Sequence, residues 1–308
     1  MNLRFYANYK RSLFLKSFFL SLILSIVISQ NSFSQDITSY QKEIDQWHDE
    51  RIKELKADNG WLNLVGLYWL DEGKNTFGSG KQNKIVFPKG TIENAAGTFV
   101  REGNNVTLIT NDKANIKVNG KAVSELLIYD DKTEAAIVSS GNLQWTIIKR
   151  GDKIGIRLRD FKSPAINKFR GVERYPVDPS WKVDATLQKD NSSSDVLITN
   201  VLGQTTPVKS PGKLVFSFNG NKYSLDALEE GDELFIIFSD STSGFSTYPS
   251  GRFVYAKKPN ADGYTILDFN KAYNPPCAFT DFATCPLPPK QNNLSFAVTA
   301  GEKYKGHL

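Results

Sequence analysis

Short apolar runs separated by turn residues dominate the chain after Gly60 and constrain its fold more than any other feature. They recur roughly every 8 to 12 positions, with Gly, Asn or Asp between them. Asn119-Gly120 and Asn219-Gly220 each stand between two alternating runs, which is the strongest local signal for a two-residue β-hairpin. We therefore predict a mainly β protein, built as antiparallel β-sandwich or barrel-like lobes rather than as βαβ units.

One helix is expected before these strands. Apolar residues from Ile37 to Leu55 recur at mostly three- and four-residue steps, and Asn59-Gly60 supplies a stop. This predicts an amphipathic helix within 36–59 whose apolar stripe packs on the domain. We expect a first β lobe over 60–161, a Pro- and charge-rich connecting segment over 162–179, and a second β lobe over 180–308; alternatively, the connecting segment is a long crossover within one lobe.

Residues 1–35 have the pattern of a secretory signal peptide. Lys10, Arg11 and Lys16 precede an apolar run over 17–29, and small residues suited to cleavage follow. The run is shorter than the roughly 20 residues that span a bilayer. We therefore expect no stable membrane anchor after cleavage and a periplasmic or secreted mature protein.

The basic charge of the chain belongs mostly to that segment. The chain has 38 Lys+Arg and 33 Asp+Glu, and residues 1–35 hold four basic residues and no acidic ones. This leaves 34 against 33, a net charge of +1 for the mature protein. Nucleic-acid binding needs a basic field that survives in the mature domain, so this class of partner is not expected.

Cys277 and Cys285 are the two cysteines of the chain, and we expect them to form a disulfide, because export permits it. A metal or redox pair is the alternative. Zinc would need two further ligands, yet the histidines are His48 and His307, near opposite ends of the mature chain. The mature chain also lacks methionine, the usual soft ligand for copper. We predict no metal and no cofactor.

The segment 267–289 is the most unusual part of the chain, since it holds both cysteines and five of the 13 prolines. Such a segment cannot continue a helix or a central strand, so it is predicted to be an ordered irregular loop, where function tends to lie. Asp268, Asn270, Tyr273 and Asn274 are its candidate site residues. The alternative is that these side chains bond the backbone of their own loop.

Two other polar stretches carry candidate residues. Arg157 and Arg159 alternate along a predicted strand, so both guanidinium groups project from one face, either toward a carboxylate or phosphate or as a solvated surface. In a polar loop further along, Tyr248 and Arg252 are candidates for recognising an oxygen-rich or aromatic ligand. Asp240 in that loop either caps a turn or serves as an acid or base.

Familiar catalytic motifs do not occur in this sequence. Gly78-Ser79-Gly80-Lys81 lacks the full phosphate-loop pattern and precedes a strand, so we predict a hairpin turn there. No Gly-x-Ser-x-Gly elbow exists, and neither His48, expected on the helix, nor the penultimate His307 suits a Ser-His-Asp triad.

Two resemblances to known families accompany these motifs. The stretch 73–88 resembles the start of a forkhead-associated domain but lacks that family's phosphothreonine-binding Arg and Ser-Arg-x-x-His, which implies a shared β scaffold only. Motifs along most of the mature chain resemble domain-of-unknown-function family 1684. They include Gly60-Trp61-Leu62, Tyr175-Pro176-Val177-Asp178, Gly251-Arg252-Phe253, Leu267-Asp268-Phe269-Asn270, the run from Ala272 to Phe279, and Cys285-Pro286-Leu287-Pro288-Pro289. The resemblance implies the grouping and carries no residue roles.

Two functions follow as hypotheses. The first is an exported β-rich binding or accessory protein with a polar cleft for a small anionic, peptide or sugar ligand. The alternative is a hydrolase-like enzyme in which Asp240 or Asp268 is the acid or base and Arg157 or Arg252 stabilises negative charge, without histidine or metal. The enzyme hypothesis requires these carboxylates and arginines to meet in one pocket.

Overall fold

A computed structural model of the protein describes residues 36–189 and 195–306. The signal-peptide interpretation of residues 1–35 and the position of His307 therefore lie outside the described residues. The chain divides into two compact units, Met1–Asp49 and Glu50–Leu308. No helix within the described ranges is long and apolar enough to cross a membrane.

Helix α1 occupies 36–56, in agreement with the predicted amphipathic helix. In the first unit, Gln41 Nε2 donates to Asp45 Oδ1 at 2.9 Å, one turn further along. In the second unit, Leu55 is buried against Leu62 and Phe169. Gly60 ends the turn after the helix because a Cβ at this position would lie 2.4 Å from the Glu54 carbonyl oxygen.

The first β lobe consists of two sheets, with strand orders β1-β11-β10-β9-β6-β7 and β3-β2-β4-β5-β8. Its strands are β1 (Leu64–Trp69), β2 (Gly73–Gly78), β3 (Ile85–Val86), β4 (Gly97–Glu102), β5 (Asn105–Thr110), β6 (Lys117–Val118), β7 (Lys121–Ala122), β8 (Glu125–Tyr129), β9 (Val138–Ser140), β10 (Leu143–Arg150) and β11 (Lys153–Asp160), with a 3-10 turn at Asp112–Ala114. Both sheets contribute to one core, in which Trp145 packs edge-on against Phe77 and Phe87 at centroid distances of 5.9 and 5.5 Å.

The turn after β2 is not the hairpin that the sequence predicted. The next strand, β3, pairs with β2 in parallel, so Gly78-Ser79-Gly80-Lys81 begins a crossover. The Ser79 and Gly80 amides donate to the carbonyls of Glu93 and Asn94, each at 3.0 Å. Because these amides bond carbonyls more than ten residues further along, the chain does not reverse direction here as it would in a hairpin.

Both Asn-Gly pairs form the predicted two-residue hairpins. Asn119-Gly120 joins β6 to β7 with φ angles of 48° and 80°, and Asn219-Gly220 joins β15 to β16 with 47° and 77°. Positive φ at both positions is the geometry of a type I′ turn, which matches the twist of the flanking strands.

The connecting segment contains α2 (Pro164–Lys168), which Ser163 caps by accepting from the Ala165 amide at 3.3 Å, and a 3-10 turn at Pro179–Trp181. The second β lobe has one sheet in the order β18-β17-β16-β15-β12-β19 and a separate β13-β14 hairpin. Its strands are β12 (Lys182–Gln188), β13 (Val196–Thr199), β14 (Thr205–Val208), β15 (Gly212–Phe218), β16 (Asn221–Glu230), β17 (Glu233–Phe238), β18 (Arg252–Lys257) and β19 (Tyr264–Asp268).

The sheet of the second lobe curls until its two end strands meet. Thr265 Oγ1 of β19 donates to the Lys257 carbonyl of β18 at 2.7 Å. The described chain is thus mainly antiparallel β with a barrel-like second lobe and an N-terminal helix, as predicted.

The irregular C-terminal segment follows β19. It contains 3-10 turns at Phe269–Lys271, Pro276–Ala278 and Lys290–Asn292. Cys277 and Cys285 form the predicted disulfide, with a Cα–Cα distance of 6.2 Å. We call residues 276–286 the disulfide loop.

Trp145 tests the core of the first lobe, because its side chain is 1% exposed and lies where both sheets meet. Trp145→Ala should lower the free energy of unfolding by about 3–5 kcal/mol through lost burial and the cavity left behind. Denaturant titration measures this change. Leu127→Ala, at a position 49% exposed, is the matched control and should have little effect; equal losses in the two variants would contradict the described packing.

Candidate functional site

A cleft of about 350 Å³ lies where the two β lobes meet the disulfide loop. We call it the arginine cleft. It is lined by three arginines, five aromatic rings, one carboxylate and part of the disulfide loop: Arg51, Trp61, Arg150, Arg157, Glu230, Phe235, Phe253, Tyr255, Tyr273, Pro276 and residues 283–286. This volume lies at the small end of the range for small-molecule sites.

Arg157 stands on β11 between two neighbouring strands, opposite Leu67 of β1 and Thr146 of β10. Its guanidinium lies over the Trp61 ring at 5.6 Å. The buried Nε atom has no hydrogen-bond partner, and within the described ranges no carboxylate pairs with this guanidinium. Burial, followed by the nearby charges of Arg150 and Arg159, lowers the pKa of Arg157 to about 10. The described part of the chain therefore leaves this cation without a counter-charge.

Arg150, at the end of β10, is also without an acidic partner in the described chain. Its Nε donates to Thr284 Oγ1 of the disulfide loop at 3.2 Å, and its Nη1 donates to the Lys149 carbonyl at 2.9 Å. These bonds orient the side chain across the junction between the lobes without neutralising its charge.

Arg51, near the C-terminal end of α1, differs because a carboxylate compensates its charge. Its Nε lies 3.6 Å from Glu302 Oε1, and its Nη2 donates to the Asn274 carbonyl at 3.2 Å. The guanidinium covers the Tyr273 ring at 4.7 Å. Burial raises the pKa of Glu302 above its ordinary range, while Arg51 and the Asn274 amide act in the opposite direction.

Four rings form one side of the cleft, which we call the aromatic wall: Phe235, Phe253, Tyr255 and Tyr273. Tyr255 donates to Glu230 Oε2 at 3.0 Å. Burial and the Glu230 charge raise the pKa of Tyr255 to about 12, and burial moves the pKa of Tyr273 well above its usual range. Both phenols are therefore protonated at neutral pH.

The disulfide loop closes another side of the cleft and is tied to both lobes. Thr280 Oγ1 donates to the Leu64 carbonyl of β1 at 3.0 Å, and the Val201 amide donates to the Cys285 carbonyl at 3.0 Å. The Tyr248 hydroxyl donates to the Cys277 carbonyl of the disulfide loop at 3.3 Å. Tyr248 thus contacts the loop without lining the cleft.

Of the two arginines that the sequence placed on one strand face, only Arg157 lines the cleft. Arg159 Nη1 instead donates to the Gly60 carbonyl and, at 2.6 Å, to Asn63 Oδ1. Burial lowers the pKa of Arg159 as well. Its bonds fasten the turn after α1 to β11, which is a structural role.

Asp240 and Arg252 form a buried ion pair with an Nη2–Oδ2 distance of 2.9 Å. Asp240 Oδ1 also accepts from the Thr242 amide at 2.8 Å, and Arg252 Nη2 donates to the Val298 carbonyl at 2.8 Å. Neither side chain lines the arginine cleft, and Arg252 is fully buried. The pair joins the polar loop of the second lobe to the C-terminal segment.

The polar residues of the C-terminal segment bond backbone groups. Asp268 Oδ1 accepts from the Asn270 amide at 3.0 Å, and Asn270 Nδ2 donates to the Asp178 carbonyl at 2.8 Å. Asn274 Nδ2 donates to the Lys303 carbonyl at 2.9 Å. Among the candidates of this segment, Tyr273 lines the cleft, whereas Asp268, Asn270 and Asn274 hold neighbouring chain segments in place.

Sequence reasoning did not name several residues of the cleft as candidates, among them Arg51, Trp61, Arg150, Glu230 and Tyr255. Trp61 could have been noticed from the sequence, because it directly follows the Asn59-Gly60 helix stop and belongs to the Gly60-Trp61-Leu62 motif. The other four carry no such signal, since each looks like an ordinary surface residue of its own helix or strand.

Arg157 and Arg159 provide a matched test of these two roles. The folded state lowers the pKa of Arg157 to about 10, so holding its charge costs stability at neutral pH. This cost begins to fall only as the pH rises through about 10, and it vanishes above the ordinary pKa that the side chain has in the unfolded chain. Arg157→Gln should therefore leave the free energy of unfolding unchanged or raise it by up to about 1 kcal/mol, after allowance for solvent screening.

Arg159→Gln should lower the same free energy by about 1.5–3 kcal/mol, because it removes charge-assisted bonds to Gly60 and Asn63. Urea titration at pH 7 measures both variants. A larger loss for Arg157→Gln than for Arg159→Gln would contradict these assignments.

The buried pair of Asp240 and Arg252 is expected to hold the second lobe together. Asp240→Asn should lower the free energy of unfolding by about 3–5 kcal/mol, since it leaves a fully buried guanidinium without its counter-charge. Asp71→Asn, which breaks the exposed pair with Lys84 at 2.7 Å, is the control and should change little. Similar stabilities for wild type and Asp240→Asn would argue against the structural role.

Several solved structures are similar to parts of this chain. An uncharacterized protein of Haloarcula marismortui, determined by solution NMR, is 33% identical; the alignment covers 44% of this chain and 78% of that chain, with a TM-score of 0.38. An FHA domain from a study of phosphothreonine-dependent FHA interactions, and the FhaA FHA domain complexed with the intracellular domain of Rv3910, are each 17% identical and each cover 30% of this chain. These domains are covered to 92% and 97%, with TM-scores of 0.22, and scores this low support no inference about fold or binding.

No curated protein matches this chain. The sequence profile of a family described as a protein of unknown function, DUF1684, matches residues 167–303. That range holds most of the connecting segment, the second β lobe and the whole disulfide loop, including Tyr255 and Tyr273 of the cleft. This protein belongs to the DUF1684 family of proteins of unknown function.

Proposed function

We propose that this protein binds a small anionic molecule in the arginine cleft, with Arg157 and Arg150 as its main anchors. The observation that carries the proposal is the Arg157 guanidinium, which is largely buried yet lacks any carboxylate or hydrogen-bond acceptor in the described chain. A buried cation is normally paired, because an unpaired one is costly. A bound anion would supply the missing partner.

The charges around the cleft support this proposal. Glu302 compensates Arg51 at 3.6 Å, and Glu230 is engaged by the Tyr255 hydroxyl. Arg150 and Arg157 are left as two uncompensated positive charges, close enough for Arg150 to lower the pKa of Arg157. Two guanidinium groups that point into one cleft favour a carboxylate or phosphate, whose oxygens match their paired donors.

The carboxylates named for a hydrolase do not support that alternative. Asp240 is held by Arg252 and Thr242, and Asp268 caps the 3-10 turn after β19. Neither lines the arginine cleft. A general acid or base must come within hydrogen-bond reach of its substrate, so binding is the function that the geometry favours.

We also propose that the protein works outside the cytoplasm. The signal-peptide pattern of residues 1–35 and the disulfide between Cys277 and Cys285 support this location, because disulfides persist in oxidising compartments. The disulfide closes a loop that lines the cleft, so an oxidising environment would help to maintain the shape of the site.

Anion binding is tested with inorganic phosphate and acetate as probes, by calorimetry and by thermal unfolding. Both probes should bind wild type and raise its Tm with increasing concentration, because binding to the folded state alone stabilises it. Arg157→Gln should weaken binding at least tenfold, about 1.4 kcal/mol.

Lys149→Gln is the control, since it removes one positive charge from β10, the strand next to that of Arg157, but at a surface pair with Asp131. It should bind both probes as wild type does. The proposal fails if neither probe binds wild type, or if Arg157→Gln and Lys149→Gln bind equally well.

A further inference from the structure

We infer that the anionic ligand carries a planar aromatic ring that lies on the aromatic wall; this inference rests on the proposed function. Phe235, Tyr255 and Tyr273 each keep part of their surface exposed beside the cleft, while Phe253 is buried beneath them. A cluster of partly exposed rings beside a pocket is typical of a ligand-binding surface.

The rings of the aromatic wall form one continuous surface. Phe235 packs against Phe253 edge-on at 4.9 Å and against Tyr255 at 5.0 Å. Tyr255 and Tyr273 are nearly parallel, with an interplanar angle of 11° and centroids 6.2 Å apart. Such a surface favours a flat ring, which can stack on one of its members or meet it edge-on.

The aromatic wall and the two uncompensated arginines come from different β lobes of the chain. Arg150 and Arg157 belong to the first lobe, whereas Phe235 and Tyr255 belong to β17 and β18 of the second. A ligand that fills the cleft therefore meets cations from one lobe and aromatic rings from the other. An aromatic carboxylate or an aryl phosphate presents this combination in one small molecule.

The other ligand classes lack matching groups in the cleft. A sugar usually requires several amides or carboxylates directed at its hydroxyls, but Asn270 and Asn274 bond the backbone, and Glu230 is engaged by Tyr255. An extended peptide requires a free strand edge. At β18 that edge is occupied where Phe253 and Tyr273 exchange backbone hydrogen bonds of 2.8 and 2.9 Å.

The experiment compares aromatic anions with their simple counterparts by calorimetry on the mature protein. Benzoate should bind at least tenfold tighter than acetate, and phenyl phosphate at least tenfold tighter than inorganic phosphate. Cyclohexanecarboxylate should bind more weakly than benzoate, because it is apolar without being flat. The carboxylate and phosphate pairs show which anionic group the arginines prefer.

Two variants test whether the aromatic wall causes the preference for aromatic anions. Tyr255→Leu should reduce the preference for benzoate over acetate to about threefold or less. Tyr264→Leu, which removes an exposed tyrosine of β19 outside the cleft, should keep the full preference. Phe235→Leu serves in place of Tyr255→Leu if that variant does not show cooperative thermal unfolding.

The possible failures are distinguishable. If acetate and phosphate bind through Arg157 but the aromatic anions bind no tighter, the aromatic inference is wrong and the proposed function stands. If cyclohexanecarboxylate equals benzoate, the wall recognises apolar bulk rather than a ring, and the inference is again wrong. If none of these anions binds wild type, both proposals are wrong.

Discussion

The C-terminal segment of this protein depends on the buried guanidinium of Arg252. Residues 298–302 have little regular secondary structure, yet Arg252 bonds the carbonyls of Val298, Ala300 and Glu302 and pairs with Asp240. With its backbone held in this way, Glu302 directs its side chain to the Asn274 amide at 2.7 Å and toward Arg51. Arg51 in turn covers the Tyr273 ring. A fully buried ion pair thus supports, through a chain of contacts, one side of the arginine cleft.

Arg252 and Arg157 have the same side chain in different surroundings, and the difference distinguishes a structural arginine from a candidate binding residue. Arg252 is fully buried, with its counter-charge and three carbonyl acceptors in place. Arg157 is largely desolvated, and within the described residues its guanidinium has the Trp61 ring face as its one favourable contact. Evolution can keep an unsatisfied buried cation at a cost in stability when its partner is a ligand. This contrast, rather than the number of arginines, identifies the cleft as the candidate site.

Local features were predictable where the determining groups are close in sequence. The Asn119-Gly120 and Asn219-Gly220 hairpins need only two residues that accept positive φ, and α1 needs only its apolar spacing. The prediction failed for Gly78-Ser79-Gly80-Lys81, whose amides bond carbonyls at Glu93 and Asn94. Among the residues that line the candidate cleft, Arg157 and Tyr273 were named as candidates from their sequence contexts, whereas Arg51 and Arg150 carry no local signal.

The sequence by itself determined the mainly β architecture, the helix, the disulfide and the family, because each depends on periodicity, turn chemistry or a contiguous motif. Tertiary structure alone decided which polar residues line the candidate cleft. Asn270 meets Asp178, Asn274 meets Lys303, and Arg159 meets Gly60, all pairings of residues far apart in the chain. A buried polar group is engaged or available only according to the partners that folding brings to it, and alternation along a strand does not reveal those partners.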